Sequence, residues 1–326
     1  MDLRTDLIPI LSDGRFHSGT ELGRRLGVSR TTVHNVIDAL ADAGLDIHRV
    51  PGRGYRIPGG IEVLDADRIA GWLDDRGARR PASLEILDKT PSTNAHLLRR
   101  GMPRPGEAAV CVAERQTAGR GRRGRTWVAT PYRNVMLSMA WRYDSGPGAT
   151  SGLSLAAGVA VADALDAAGA GDVGLKWPND VVWNGRKLAG VLVDVAGEAQ
   201  GPTLVVLGIG VNVRLSDADG RLIEQPWVDL VTVVDEAPAR NRLVALLIEE
   251  LSLMFEQFSR GGYPAFRDRW ELRNVYAGAP VSVIQSGGEL RGSVLGTDER
   301  GALLLLDGAG RTHVLASGEV SLRGAS

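Results

Sequence analysis

The sequence predicts a multidomain α+β protein in three parts, and three patterns carry the prediction. Residues 1–60 hold apolar positions at helical spacing, a glycine turn and a basic hairpin. Residues 61–272 mix strands with helices around an arginine-rich glycine loop. Residues 273–326 hold short strands separated by glycine-bearing turns, the pattern of a small β-barrel. A length of 326 residues is long for one core and supports more than one domain. The hydrophobic share of 44% is enough to build real cores. A formal net charge of -1 excludes a bulk polycation, so nucleic-acid binding has to come from a local patch.

In the first part, Leu3 to Leu11 reads as a short helix, bent or shortened at Pro9. Thr20 to Leu26 reads as a second, with Leu22 and Leu26 on one face. Gly27-Val28-Ser29 is a turn, and Ser29 caps a third helix. That helix turns Val33, Val36, Ile37 and Leu40 inward and Arg30, Thr31, His34 and Asn35 outward, and Gly44 ends it. This is the helix-turn-helix pattern. The outer residues, with Ser29 and Thr32, suit phosphates and base edges. His48 to Ile57 then reads as two short strands around a basic turn, a wing whose Arg49, Arg53 and Arg56 suit a phosphate backbone. Eight arginines against seven acids in these sixty residues make the overall charge a weak signal, so the pattern carries the argument. A rigid packing module is the competing reading, but a basic hairpin has little use in one. His34 reads as surface polar, since no second histidine stands at ligand spacing.

The middle part opens with a linking helix over Asp65 to Arg76 and a loop over Gly77 to Pro81. Leu84 to Leu87 is a strand candidate, and Ser92-Thr93-Asn94 caps a helix through Arg100. Further strands are expected at 109–113, 135–143, 173–176, 181–183, 188–195 and 203–213. Leu153 to Ala168 is alanine-rich and apolar, a buried helix, and Arg240 to Phe258 is a long one. This order predicts helices packed on a mostly antiparallel or mixed sheet, with the ligand held by loops. The last part offers strands at 279–284, 289–297, 302–306 and 312–315, closed by the run 317–322. Cys111 stands alone in an apolar run and reads as core, so no intrachain disulfide or cysteine metal cluster is expected. Met1-Asp2-Leu3-Arg4 leads into no signal-type apolar stretch, and a cytoplasmic protein away from the membrane is expected.

The chemistry concentrates in Gly119 to Arg125, read G-R-G-R-R-G-R, four arginines and no acid. The G-x-G-x-x-G spacing does not signal a dinucleotide fold, because Arg125-Thr126-Trp127-Val128 leads to Pro131 and a strand instead of opening a helix. Arginine keeps its charge and offers a rigid fork, which suits an anion that must be wrapped closely. Activating a carboxylate with ATP brings two anions together, and flanking cations reduce their repulsion and stabilise the transition state. Lys187, at the head of an apolar strand after the Asn184-Gly185 turn, is the candidate on the opposite side. Losing such a donor costs roughly 3 kcal/mol in the transition state. In Lys176-Trp177-Pro178-Asn179-Asp180, Trp177 reads either as ligand wall or as core. Gly208 and Gly210, before Asn212, allow either close approach to a nucleotide or a plain β-bulge. Trp227 is a candidate to stack on adenine.

These motifs together resemble the bacterial bifunctional biotin–protein ligases that also repress the biotin operon. The likeness is carried by Phe16-His17-Ser18-Gly19, Val28-Ser29-Arg30 and Val50 to Tyr55 in the first part. It continues through Ser92-Thr93-Asn94, Glu114 to Ala118, Gly119 to Trp127, Lys176 to Asp180 and Lys187 to Gly190, then through Gly301 to Leu305 and Gly318 to Leu322. The resemblance implies a central ligase domain of the class II tRNA-synthetase-like biotin/lipoate type and an SH3-like C-terminal domain. It implies that biotin and ATP give biotinyl-5'-AMP and pyrophosphate, and that biotin then passes to a lysine of the biotin carboxyl carrier protein of acetyl-CoA carboxylase. Magnesium would arrive with ATP, without a dedicated protein cage.

By the same resemblance, Arg122 and Lys187 are the catalytic pair. Ser92, Thr93, Asn94, Gln116, Gly119, Arg120, Gly121, Arg122 and Lys187 are expected at biotin, and Arg122, Trp127, Asn179, Lys187, Asn212 and Trp227 at the nucleotide. Ser29, Arg30, Thr31, Thr32, His34, Asn35 and Arg53 are expected at operator DNA. Bound adenylate is expected to act as corepressor by favouring a homodimer, which places paired DNA units on one operator. Asp217, Asp219 and Glu224 make the loop 214–226 acidic, which bears on its ordering or on dimer strength. Three alternatives stand beside this reading: a ligase whose N-terminal unit does not repress, a lipoate-type acyl ligase, and a pure transcription factor. The last leaves the arginine loop and Lys187 without a purpose.

Overall fold

The computed structural model describes residues 3–236, 238–285, 288–316 and 318–322. Ser317, expected to open the last strand run, and the ends at 1–2 and 323–326 lie outside them.

The N-terminal unit packs α1 (Leu3–Leu11), α2 (Gly19–Leu26) and α3 (Arg30–Asp42), followed by β1 (His48–Val50) and β2 (Gly54–Arg56). Pro9 stays inside α1. Ser29 Oγ accepts from the Thr32 backbone N–H at 3.0 Å, so the predicted cap is made. Val33, Ile37 and Leu40 are buried, while Val36 is only partly so. β1 and β2 pair antiparallel as the expected wing. The wing lies so close to the turn before α2 that a Cβ on Gly54 would stand 2.0 Å from the His17 carbonyl oxygen.

α4 (Ala66–Asp75) is capped by Asp65 and leads to β3 (Ser83–Thr90), α5 (Thr93–Arg100), β4 (Ala109–Gln116) and β5 (Val135–Tyr143). α6 (Leu153–Ala167), β6 (Gly174–Lys176), β7 (Asp180–Trp183), β8 (Arg186–Gly197) and β9 (Thr203–Val211) follow. The strands form one seven-stranded sheet, ordered β3-β4-β5-β9-β8-β7-β6. Only β3 and β4 pair in parallel, through the α5 crossover, so the sheet is mixed as predicted. α7 (Asp217–Gly220), α8 (Leu230–Val233), α9 (Arg240–Gly261) and α10 (Arg267–Leu272) complete the middle. The stretch Pro147–Ala167 is long and apolar enough to cross a membrane by length and composition, but 61% of it is buried and α6 packs against α9 and the sheet. Cys111 is fully buried as expected, and burial pushes its thiol up to about 12.

β10 (Pro280–Gln285), β11 (Gly288–Thr297), β12 (Leu303–Leu306), β13 (Thr312–Leu315) and β14 (Glu319–Leu322) form a five-stranded antiparallel sheet ordered β13-β12-β11-β10-β14, the small β unit the sequence predicts. Its inward residues Val281, Val283, Val294, Leu303, Leu305 and Val320 share one apolar cluster with the large sheet and its helices.

The N-terminal unit has a separate apolar core, and Tyr132, from the segment between β4 and β5, is a buried member of it. Its hydroxyl donates to Asp88, and burial with that carboxylate pushes the phenol's pKa up. Beside it, Arg133 donates to the Pro58 carbonyl at 3.0 Å. Behind both lies a buried ion pair that the sequence did not announce. Arg240, at the start of α9, meets Glu114 at 2.7 Å and also donates to the carbonyls of Glu62, Tyr132 and Asn134. Glu114 accepts the Leu64 backbone N–H at 2.7 Å. Replacing one member of such a pair leaves the other charge buried and uncompensated. Arg240→Met is therefore expected to lower unfolding free energy by about 3–5 kcal/mol in a denaturant titration, and an unchanged midpoint would contradict this account.

Candidate active site

A cavity of about 620 Å³ opens on the central sheet, lined by residues from the α5 N-terminus, the arginine loop, the turn before β7, the first half of β8, the end of β9, the loop 222–227 and β14. Every residue expected at biotin or the nucleotide lines it except Gly119. Gly119 is buried behind the loop, where a Cβ would lie 2.9 Å from the Trp127 carbonyl oxygen. It shapes the loop instead of facing the cavity.

One wall is polar and tightly bonded. Ser92 caps α5, its Oγ 3.4 Å from the Ala95 N–H. The Thr93 backbone N–H donates to Gln116 Oε1 at 2.8 Å, and Thr93 Oγ1 lies 3.1 Å from the same oxygen. Ser138 Oγ stands 2.7 Å from Thr93 Oγ1 and 2.5 Å from Asn94 Oδ1. Asn94 Nδ2 donates to Asp194 at 3.0 Å.

The arginine loop is a compact turn. Gly121 N–H donates to the Arg125 carbonyl at 2.7 Å, Arg122–Gly124 make one 3-10 turn, and Arg123 and Gly124 take positive φ of 55° and 75°. No helix follows, which agrees with the rejection of a dinucleotide fold. Arg120 pairs with Asp194 at 2.8 Å, and Arg122 Nη1 reaches Asn179 Oδ1 at 3.4 Å. Asn179 is held by its own amide, which donates to the Val191 carbonyl at 2.7 Å. The neighbouring Asp180 meets Lys187 Nζ at 2.7 Å, in an ion pair whose side chains are 14% and 17% exposed. Arg122 and Lys187 thus converge on two consecutive residues of one turn.

Trp127 packs over Gly190 and Gly210 of the sheet, and Lys187 Nζ stands 5.5 Å from its ring. The glycines below it have a reason that neither sequence reading supplied. Gly208 and Gly210 sit in regular ladders with β5 and β8, so there is no bulge at them. A Cβ on Gly210 would fall 2.3 Å from the Trp127 indole, and one on Gly208 2.3 Å from Asn94 Oδ1. The missing side chains make room for other side chains of this protein. Trp177 is 3% exposed and its indole N–H donates to the Gly301 carbonyl at 3.0 Å, so it belongs mainly to the core beside the C-terminal sheet while touching the cavity's edge.

Asn212 and Trp227 are both bonded to protein groups. The Asn212 amide donates to the carbonyls of Lys187 and Val228, at 3.3 and 3.2 Å. The Trp227 indole N–H donates to the Gly220 carbonyl at 3.0 Å, with one ring edge where a Gly220 side chain would be. Lys187 bonds the loop from both sides, its N–H to Pro226 O and its carbonyl to Val228 N–H. The acid at 219 has an ordering role: Asp219 accepts from Thr130 and Ser216 hydroxyls at 2.5 and 2.7 Å.

In the N-terminal unit, Ser29, Arg30, Thr31, Thr32, His34, Asn35 and Arg53 are all exposed. The wing arginines are not equivalent. Arg49 is paired with Asp38 of α3 at the surface. Arg53 and Arg56 stack on Phe16 at 4.2 and 4.8 Å.

The fold and the site define a ligase-type enzyme joined to a DNA-binding module, with Arg122 and Lys187 meeting at one turn of the cavity lining. Comparison with known families agrees with that class. The Biotin/lipoate A/B protein ligase family matches residues 86–212, an HTH domain matches 3–56, and the Biotin protein ligase C terminal domain matches 276–323. The bifunctional ligase/repressor BirA of Salmonella typhimurium is 42% identical over 98% of this chain and 97% of its own length. The biotin–[acetyl-CoA-carboxylase] ligase of Mycobacterium tuberculosis is 37% identical over 79% of this chain and 98% of its own. The solved biotin protein ligase of Aquifex aeolicus, in complex with biotin and ATP, superposes with a TM-score of 0.61 at 26% identity, over 74% of this chain and 99% of that one. The chain belongs to the bifunctional biotin–protein ligase and repressor family.

The glycine floor yields a direct test. Gly210→Ala is expected to displace the Trp127 indole, shift tryptophan emission and weaken nucleotide binding about tenfold or more, the effect of losing a preorganised wall. Unchanged emission and binding by titration would refute the packing role given to Gly210.

Proposed function

We propose that the chain is an ATP-dependent biotin–protein ligase and a transcriptional repressor governed by its own reaction intermediate. The single observation that carries the ligase reading is the meeting of Arg122 and Lys187 at Asn179 and Asp180, across a cavity walled by Thr93, Asn94 and Gln116. In the first step a carboxylate oxygen of biotin attacks the α-phosphorus of ATP, and pyrophosphate leaves. Arg122 and Lys187 offset the charge that builds on the phosphorus oxygens. In the second step the lysine amine of the carrier protein attacks the acyl carbon, AMP leaves, and an amide forms.

Ser92, Thr93, Asn94, Gln116, Arg120 and Gly121 are assigned to biotin, with Gly119 supporting the loop behind them. Trp127, Asn179, Asn212 and Trp227 are assigned to the nucleotide, Trp227 as the base-stacking group. For Asn212 the bonding pattern favours holding the loop 226–228 in place. Magnesium would neutralise the triphosphate it arrives with. Asp180 and Glu224, carboxylates of the described lining, fit an ion that takes one or two protein oxygens beside phosphates. The carrier protein of acetyl-CoA carboxylase is the acceptor, and the cytoplasm is where these substrates would be met.

Repression is assigned to the N-terminal unit, with biotinyl-5'-AMP as corepressor, an adenylate-bound homodimer as the DNA-binding form and the biotin operon operator as target. A ligand that prefers the dimer-competent state strengthens dimerisation by the same factor that dimerisation strengthens its binding.

ATP–pyrophosphate exchange with biotin as the acid tests the ligase. Wild type is expected to exchange, and Lys187→Ala or Arg122→Ala to lose about a hundredfold or more, in the range for a removed transition-state donor. Full exchange in both variants would overturn the assignment, and exchange with lipoate instead of biotin would point to the sibling acyl ligases. An operator shift measured with biotin and ATP present tests the repressor. Adenylate-dependent binding is expected, with a weaker and less salt-sensitive complex in Arg53→Ala. An operator complex indifferent to adenylate would reduce the chain to a ligase with a DNA-binding domain.

A further inference from the structure

Asp194 on β8 matches no expectation from the motifs, yet it sits at a junction. Its Oδ2 accepts from Asn94 Nδ2 at 3.0 Å and from Arg120 Nη2 at 2.8 Å. One carboxylate oxygen therefore ties the cavity wall to the arginine loop. Its side chain is 25% exposed, and it stands behind the lining.

The consequence is directional. An ionised carboxylate only accepts hydrogen bonds. It forces the amide nitrogen of Asn94 toward itself and the amide oxygen toward Ser138, 2.5 Å away. The Ser138 hydroxyl has one proton for two nearby oxygens, and the amide oxygen of Asn94, which has none of its own, takes it; Thr93 keeps its own hydroxyl proton, with Gln116 Oε1 as an acceptor in reach. Gln116 Oε1 is held by the Thr93 backbone N–H, so the Gln116 amide N–H groups are turned away from Thr93. The chain Asp194–Asn94–Ser138 thus has one donor–acceptor sense, set by the charge at its end. Asn94 is 3% exposed and fits over Gly208 without room to turn cheaply.

We propose that Asp194 is a positioning residue for biotin recognition, fixing the hydrogen-bonding sense of the wall at Asn94 and anchoring Arg120 beside it. This rests on the assignment of that wall to biotin made above. A ureido ring carries two N–H donors and one carbonyl acceptor, and a wall of fixed sense discriminates such a group from an apolar ring of similar size. Asp194 acts through Asn94 and Arg120, so it governs biotin affinity and not the chemical step.

The test is Asp194→Asn, which keeps shape and removes both the charge and the accept-only character. In ATP–pyrophosphate exchange the biotin KM is expected to rise about tenfold, the size of one lost charge-assisted hydrogen bond, while kcat and the ATP KM stay within about twofold. Asp194→Glu, which restores the carboxylate, should recover the biotin KM to within about threefold. In the protein without ligands, trypsin should cut faster after the arginines of 119–125 in Asp194→Asn than in wild type, because Arg120 has lost its anchor. An unchanged biotin KM with unchanged cleavage would overturn the proposal, as would equal rises in both KM values. Wild type that fails to exchange with biotin would instead remove the assignment of the wall to biotin, and the cleavage rates would still report whether Asp194 anchors the loop.

Discussion

Lys187 is the constraint on which the site is built. Its ammonium is held at Asp180 and stands over the face of Trp127, and its backbone locks onto Pro226 and Val228. One residue therefore fixes a cation in the cavity and fastens the loop that carries Trp227. Arg122 reaches the residue next to Asp180 from the opposite loop. Two positive groups gathered at one turn suit reactants that are both anionic, because their mutual repulsion is the barrier an enzyme of this kind has to lower.

The segment 127–134 joins this site to the N-terminal unit. Trp127 covers the glycines of β8 and β9, and Thr130 bonds Asp219 and the Ser216 N–H. Tyr132 belongs to the N-terminal core, Arg133 bonds Pro58, and Asn134 Oδ1 accepts from Val213 and Arg214. Arg240 and Glu114 clamp the far side of the same segment. Eight residues thus touch the cavity, the loop and the DNA-binding module. Contiguous packing runs from the cavity to the N-terminal core through one short segment.

Much of the architecture was legible because it is periodic. Strand 135–143 and helix 30–42 follow from alternation and from a capped apolar face, and both stand where expected. The six-residue α10 and the single turns α7 and α8 are too short for periodicity to mark. The site was legible in its cations and glycines, because arginine runs and glycine spacing are rare and chemically pointed. What stayed hidden was pairwise. Nothing in a strand sequence says that Asp194 meets Asn94, that Glu114 meets Arg240, or that Arg49 pairs with Asp38. Gly208 and Gly210 invited a ligand or a bulge, and the structure fills their space with Asn94 and Trp127. Apart from Arg49 and Asp38, these partners stand more than eighty positions apart in the chain, which no local pattern encodes.

The most direct measurement is a crystal structure of the protein with biotinyl-5'-AMP bound. The account predicts Arg122 and Lys187 both within about 3 Å of oxygens around the phosphoryl–carboxyl junction, with the turn at Asn179 and Asp180 beside them. A complex in which residues 119–125 lie away from that junction, or in which Lys187 keeps Asp180 as its sole partner, would contradict it.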